Sequence, residues 1–173
     1  TGETFGFYQD YRQQPLHHLG KSLTEGFSYQ GETSLYREGK PRGEACSDVP
    51  LTAFISFLQN HDLVGNRPHG ERITRLCPPE AGRAATARVL LAPSPPLLFM
   101  GQEWACSRPF TYFVDFPKAL GDKVAEGRRR DFARFKQFGE TLLNSMPPPN
   151  APQTYQSAKL AWEEISLPSH RQW

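Results

Sequence analysis

The chain has 173 residues, of which 38% are hydrophobic, and a formal net charge of +2, values typical of a globular domain. A charge this close to balance provides no basic stripe for nucleic acid, and no apolar run approaches the roughly 20 residues that span a bilayer. We therefore expect neither a nucleic-acid partner nor a membrane partner.

The cysteines and histidines give no pattern for a disulfide framework or a metal site. Cys46, Cys77 and Cys106 are few, odd in number and far apart. His17 and His18 are adjacent, and on a helix their side chains would point about 100° apart, which is unsuited to gripping one ion. No metal or cofactor is predicted. The cysteine usage and the lack of a signal-peptide pattern in the first residues favour a cytoplasmic location.

The first predicted element is a helix that begins at about Pro15, since proline is tolerated in a first turn. Residues 20–50 then form a long connection rich in glycine, proline and small polar residues, and such connections are often functional. Its aromatic rings could stack on sugars or pin the loop to the protein body. Pinning is favoured for Phe27, whereas both alternatives stay open for Tyr29 and Tyr36.

An apolar run at residues 53–58 ends abruptly at four polar residues, Gln59-Asn60-His61-Asp62. The run predicts a strand that is covered on both faces, as in a parallel sheet, where ligands bind just past the carboxyl ends of the strands. A carboxylate there can accept two hydrogen bonds from a vicinal diol, and His61 and Asn60 can donate to neighbouring hydroxyls. From these residues alone, a sugar site and a capped turn with a packed histidine are equally supported.

The next elements predict a strand–helix–strand unit with parallel strands. Residues 71–76 and 79–91 have helical patterns, and residues 97–100 form a second short apolar run. Glu103 and Trp104 follow that second strand, as the polar cluster follows the first. They could bind and stack on a sugar, or they could meet water and fill the core.

The last third of the chain predicts a helix and a connector. Residues 128–138 carry phenylalanines three positions apart, so their apolar stripe should pack on the sheet, while the triple arginine should be a solvated helix start. The three prolines at 147–149 predict a stiff connector. We therefore expect a main domain over residues 1–146, with residues 147–173 as a connector and tail that lead towards a further domain.

Several of these stretches resemble the maltooligosyltrehalose trehalohydrolases, which belong to the α-amylase superfamily of glycoside hydrolases. The most specific is the motif over residues 57–67, Phe-Leu-Gln-Asn-His-Asp-Leu-Val-Gly-Asn-Arg, followed by Gly-Glu-Arg at 70–72. Residues 26–31, 96–104 and 126–130 extend the match over most of the chain. Gln102 and Leu63 depart from it, since the family is expected to have an acidic and a polar residue there.

The resemblance implies an α/β fold, namely part of a (β/α)8 TIM barrel in which residues 53–58 and 97–100 are the last two parallel strands. It implies hydrolysis of the α-1,4 bond next to the terminal trehalose of maltooligosyltrehalose by a retaining mechanism. Asp62 matches the third carboxylate, which stabilises the transition state, and His61 matches a hydroxyl donor beside it. The further substrate-binding candidates are Asn60, Gln59, Arg67, Glu103 and Trp104.

In this family the nucleophile and the general acid lie on the fourth and fifth strands, which would precede the first residue here. Five candidate substitutes upstream of residue 53 fit solvated surface positions and do not replace them; they are Asp10, Glu25, Glu32, Glu44 and Asp48. We therefore expect the isolated chain to be inactive, with an open sheet edge that pairs with the remainder of the barrel or with itself. Two alternatives stay open, an inactive glucan-binding fragment and another amylase-type enzyme that acts on starch.

Overall fold

The structure of the protein is a computed structural model that describes residues 2–135 and 138–173. Its regular structure is mainly helical. The α-helices are α1 (Pro15–Glu25), α2 (His61–Gly65), α3 (Ile73–Leu76), α4 (Pro79–Leu90), α5 (Lys118–Ala133), α6 (Glu140–Ser145), α7 (Pro152–Ser157) and α8 (Pro168–Arg171). Short 3₁₀ helices cover Gly6–Tyr11, Leu51–Ala53, Gln102–Trp104 and Trp162–Ser166.

The helix predictions are confirmed where the local pattern is strong and corrected near residue 128. Helix α1 begins at the predicted Pro15, and α4 ends one residue before the predicted end. Helix α5 begins at Lys118, so the triple arginine lies in its second half and not at its start. The helix ends at Ala133, which places Phe135 beyond it. Residues 136 and 137 of the same predicted stripe lie outside the described residues.

The two predicted strands do not form regular strands in the described residues. Residues 53–58 and 97–100 meet only at an isolated parallel bridge between Ser56 and Pro96, with the Leu97 amide donating to the Ser56 carbonyl at 2.9 Å. Ile55 is 61% exposed and Phe57 is 40% exposed, so the first run is not covered on both faces. The physical reason is that a single bridge leaves most of the backbone groups of both runs without a sheet partner.

The chain divides into two compact units. Unit 1 comprises Thr1–Phe57 and Ala84–Leu97, and unit 2 comprises Leu58–Arg83 and Leu98–Trp173. The candidate site residues from Gln59 to Arg67, together with Glu103 and Trp104, all belong to unit 2.

Unit 1 is organised around the buried carboxylate of Asp10. This side chain accepts hydrogen bonds from the Ser34 hydroxyl at 2.6 Å, the Tyr36 amide at 2.9 Å and the Arg42 guanidinium at 2.8 Å. The Tyr29 hydroxyl donates to the Asp10 carbonyl. The prediction that Asp10 is a solvated surface carboxylate is therefore wrong, because its partners lie 24 to 32 positions away in the chain. The other four candidates, Glu25, Glu32, Glu44 and Asp48, are exposed, as predicted.

The long connection in unit 1 is thus held down by its own side chains. Tyr29 is buried and stacks on His18 with ring centroids 5.4 Å apart, so it anchors the connection to the rest of the unit. Phe27 packs edge-on against Phe54, as expected for a pin. Tyr36 is 52% exposed. The sequence left the roles of Tyr29 and Tyr36 open, and the structure gives a packing role to Tyr29 alone.

Unit 2 has a small apolar core around Trp104, Cys106 and Ala161, with Leu160 packed against it. Gly101 lies next to this core and has a φ of +80°, a conformation that residues with a Cβ rarely adopt. A Cβ at this position would also lie 2.7 Å from a Leu160 methyl and 2.8 Å from the Cys106 Cβ. The turn after residues 97–100 therefore depends on glycine.

All three cysteines are free thiols in the described residues, which is consistent with the absence of a disulfide pattern. Within the same residues, no helix combines the length and the apolar character that crossing a membrane requires. That part of the chain also contains no group of three or more histidine, cysteine or acidic side chains that could hold a metal ion.

Candidate functional site

The polar cluster after residue 58 forms the beginning of helix α2. Asn60 is its N-cap: the residue has an extended backbone, and its Oδ1 accepts from the Leu63 amide at 2.8 Å. Asparagine is among the preferred N-cap residues because its side chain satisfies an amide that has no partner within the helix. This contact is the capping role that sequence analysis kept as an alternative, and it commits the side-chain oxygen Oδ1 of Asn60 to the helix.

His61 and Asp62 occupy the first turn of α2 and point their polar atoms to solvent. Their side chains are 74% and 66% exposed, and the His61 Nε2 lies 3.4 Å from the Asp62 Oδ1. Because Asn60 fixes the start of the helix, the carboxylate and the imidazole are presented together on a short, capped element. Both carboxylate oxygens of Asp62 can be reached by the hydroxyls of a ligand.

Gln59 and Arg67 flank these two residues and are more enclosed. Gln59 is only 3% exposed, and its Oε1 accepts from the Ile73 amide at 2.8 Å at the start of α3. Its side chain therefore binds the protein's own backbone. The Arg67 Nε lies 3.5 Å from the Glu71 Oε2, with both side chains largely covered. Arg67 thus carries an ion pair at the edge of the motif.

Glu103 and Trp104, the two candidates after residues 97–100, have different surroundings. Both belong to the 3₁₀ helix Gln102–Trp104, where Glu103 is exposed and Trp104 is 9% exposed. The Trp104 ring packs on Trp162 with centroids 4.9 Å apart. Core filling, the alternative kept from the sequence, is therefore how Trp104 is used in this structure. Among the described residues, no hydrogen bond or ion pair joins Asp62 to Glu103.

Arg72 is a buried residue that sequence analysis did not single out. It is 2% exposed, its Nε donates to the Arg108 carbonyl at 2.6 Å, and its Nη1 donates to the Met100 carbonyl at 2.8 Å. The guanidinium lies 5.2 Å from the centroid of Phe99. Burial lowers the pKa of Arg72. The residue therefore fixes the backbone just before Glu103, and its place in the Gly-Glu-Arg motif was the only sequence signal.

The backbone before Arg72 also needs a specific residue, Gly70. Its φ is +65°, and its carbonyl accepts from the Phe110 amide at 2.8 Å. A Cβ at this position would collide with the Phe110 carbonyl group and the Thr111 amide. Glycine thus permits the close approach of two backbone segments next to the motif.

Arg128, like Asp10, has surroundings that differ from those predicted from the sequence. The triple arginine was predicted to be solvated, yet the Arg128 guanidinium is half-buried between the rings of Tyr112 and Phe132, 4.8 and 4.9 Å from their centroids. Its Nη2 donates to the carbonyls of Gly65 at 2.6 Å and Arg67 at 3.1 Å. Burial lowers the pKa of Arg128. The error arose because the partners of Arg128 lie more than 60 positions earlier in the chain.

Comparison with known proteins gives one consistent family. A Deinococcus radiodurans protein named malto-oligosyltrehalose trehalohydrolase is 39% identical over 166 residues, which are 95% of this chain and 27% of that protein. An Arthrobacter ramosus protein of the same name is 35% identical over 171 residues, covering 98% of this chain and 29% of that protein. The resemblance to the trehalohydrolases is confirmed. The chain spans less than a third of the length of these trehalohydrolases.

A solved structure agrees with this relationship at the level of the fold. The 1.4 Å crystal structure of a Salmonella typhimurium protein proposed to be an alpha amylase is 43% identical to the chain. It superposes with a TM-score of 0.90 over 100% of this chain and 28% of that protein. The arrangement described above therefore recurs inside a longer, amylase-like protein. No protein-family model matches the chain.

Proposed function

We propose that the chain is part of a retaining glycoside hydrolase that cleaves the α-1,4 bond next to the terminal trehalose of maltooligosyltrehalose. The similarity to the trehalohydrolases over nearly the whole chain supports this activity, and the two whole proteins compared are much longer. The proposed ligand is an α-glucan oligosaccharide that carries a trehalose end. Residues outside this chain would supply the nucleophile and the general acid.

The same proposal includes a (β/α)8 barrel in which residues 53–58 and 97–100 are neighbouring parallel strands. The parallel bridge between Ser56 and Pro96 supports this pairing direction, and the amylase-like structural neighbour supports the barrel. The open edges of these runs would pair with other strands of the barrel. We also propose the boundary at residue 146 and a cytoplasmic location.

The observation that carries the proposal is the exposed carboxylate of Asp62 on a capped helix beside His61. We propose that Asp62 holds ring hydroxyls of the cleaved sugar and that its hydrogen bonds strengthen as positive charge develops on the ring. His61 would donate to a neighbouring hydroxyl. Glu103 would extend the polar surface, and Arg67 would orient the end of the motif. Gln59, Asn60 and Trp104 would shape the site through the backbone and core contacts described above.

The test is trehalose release from a trehalose-capped maltooligosaccharide by a longer protein that contains this sequence. Asp62→Asn preserves the shape of the side chain but removes its charge, so we expect turnover to fall by about three orders of magnitude or more. Glu44→Gln, at an exposed position in unit 1, is the matched control and should leave turnover unchanged. Unchanged turnover in Asp62→Asn would remove Asp62 from the site.

A second candidate function, hydrolysis of ordinary starch oligosaccharides, is favoured by the alpha amylase description of the Salmonella typhimurium protein. Uncapped maltooligosaccharides of equal length separate the two functions. A trehalohydrolase should prefer the capped substrate strongly, because a site that hydrogen-bonds a particular sugar loses those bonds with another. Equal rates would favour the amylase function, and binding of either sugar without turnover would favour an inactive glucan-binding fragment.

A further inference from the structure

The short helix α2 is held at both of its ends by side-chain contacts. At its start, the Asn60 Oδ1 accepts from the Leu63 amide. At its end, the Arg128 Nη2 donates to the Gly65 carbonyl at 2.6 Å and to the Arg67 carbonyl at 3.1 Å. A five-residue helix is too short to be stable from its own hydrogen bonds, so these contacts decide where it lies.

Arg128 is well suited to fix a backbone because its own guanidinium is held in place. The rings of Tyr112 and Phe132 lie 4.8 and 4.9 Å from its central carbon. Within the described residues, no carboxylate lies at ion-pair distance from it. Its hydrogen bonds are directed at the end of α2, to the Gly65 and Arg67 carbonyls and, at 3.5 Å, to the Asn66 Oδ1. Hydrogen bonds from a charged donor are stronger than those between neutral groups.

The carbonyls that Arg128 holds are linked to Asp62 through Asn66. The Asn66 amide donates to the Asp62 carbonyl at 3.0 Å, and Asn66 lies between the two residues that Arg128 binds. A shift of the Gly65 carbonyl would therefore move the helix turn that carries the Asp62 side chain. Displacements of about 1 Å in a catalytic site can cost roughly a hundredfold in rate.

We infer that Arg128 is the positioning residue for Asp62, acting through the carbonyl end of helix α2 without contact to the sugar. This inference rests on the proposed function of Asp62. It assigns the first arginine of the triple a role that its two neighbours lack. Arg129 bonds the Asn144 side chain at 2.6 Å, and Arg130 is exposed.

The experiment compares Arg128→Ala with Arg130→Ala in the longer protein, using the trehalose-capped substrate. We expect kcat to fall about 10- to 100-fold in Arg128→Ala with KM changed less than about twofold, because the carboxylate is misplaced for the transition state. Arg130→Ala should match the unaltered protein. An unchanged kcat in Arg128→Ala, while Asp62→Asn lowers turnover, would overturn the inference and leave the proposed function standing.

General destabilisation is separated from positioning by Thr111→Ala. The Thr111 side chain is buried, and its Oγ1 donates to the Thr154 carbonyl at 3.1 Å; within the described residues it makes no hydrogen bond to α2. If Thr111→Ala lowers the melting temperature as much as Arg128→Ala does and lowers kcat equally, the role of Arg128 is only structural. Should Arg128→Ala fail to fold, Arg128→Lys carries the test, since it keeps the stem and the charge but loses the forked donor. Its kcat should then fall about threefold to tenfold, and an unaltered kcat would overturn the inference.

A second measurement does not depend on activity. Amide hydrogen exchange on the 173-residue chain should become about tenfold or more faster at residues 63–66 in Arg128→Ala, with α1 unchanged. Unchanged exchange at residues 63–66 would show that Arg128 does not hold α2. If Asp62→Asn has no effect on turnover, the proposed function fails, while this exchange result still decides whether Arg128 positions the helix.

Discussion

The two units use arginines in different ways. In unit 1, Arg42 forms an ion pair with the fully enclosed carboxylate of Asp10 at 2.8 Å. In unit 2, Arg72 bonds backbone carbonyls, and Arg128 bonds the Gly65 and Arg67 carbonyls and the Asn66 Oδ1. Within the described residues neither arginine has a carboxylate at ion-pair distance. The ion pair makes unit 1 sensitive to the loss of one partner and to acid. The carbonyl contacts fix loop geometry with groups that do not titrate.

The largest expected effect comes from breaking the ion pair in unit 1. Asp10→Ala leaves the Arg42 charge and the donors of Ser34 and Tyr36 without their acceptor. We expect the free energy of unfolding to fall by about 3–5 kcal/mol, measured by denaturant unfolding of the chain. Asp48→Ala, an exposed carboxylate in the same unit, should change it by less than about 0.5 kcal/mol. Equal losses in the two variants would mean that Asp10 does not organise unit 1.

An effect of intermediate size is the pH dependence of the stabilisation that Asp10 provides. Burial alone would raise the pKa of Asp10, but hydrogen bonds from Ser34, the Tyr36 amide and Arg42 outweigh it and lower the pKa below its ordinary value. A lowered pKa means that the unfolded chain takes up the proton first as the pH falls. The stabilisation is therefore fully present above about pH 5 and is lost as the pH falls through the unfolded-state and then the folded-state pKa.

The measurement is the difference in unfolding free energy between the unaltered chain and Asp10→Asn from pH 6 to pH 2. It should be constant above about pH 5 and shrink below about pH 4, because the amide of the variant does not titrate. Asp48→Asn serves as the exposed control and should show no comparable trend. A difference that grows on acidification would reverse the assigned direction of the pKa shift.

The smallest expected effect comes from giving Arg72 the kind of partner that Arg42 has. The Arg72 Nη2 and the Gln102 Nε2 are buried without hydrogen-bond partners, and both side chains bond the backbone of residues 99–100. Gln102→Glu replaces one of these two unpaired donors with a carboxylate oxygen and adds a negative charge next to the backbone that Arg72 binds. We expect a gain of about 1 kcal/mol in unfolding free energy at neutral pH.

The pH dependence of the unfolding free energy is again the check on Gln102→Glu. A carboxylate beside Arg72 would have a lowered pKa, so the gain should disappear as the pH falls through that pKa. Destabilisation at neutral pH would mean that the cost of burying the carboxylate exceeds its attraction to Arg72. The family resemblance had already marked Gln102 as a departure, and the structure provides a physical reason to test it.

Local features of the sequence predicted the elements that need only near neighbours. Pro15 marks the first residue of α1, and residues 79–91 coincide with α4 to within one residue. The polar cluster at residues 59–62 was expected to follow an apolar run, and it forms the capped start of α2. The two predicted segments do not form regular strands. A regular strand requires a partner segment along its length, and a single parallel bridge supplies little of that pairing.

The sequence by itself determined which chemical groups the chain carries, where helices α1 and α4 begin, and its resemblance to the trehalohydrolases. Only the tertiary structure decided that Asp10 and Arg72 are buried, that Arg128 binds α2, and that Trp104 is core while Asp62 is exposed. The physical reason is that capping and helix periodicity depend on residues within a few positions. Burial and charge pairing depend on partners that only folding brings together from distant parts of the chain.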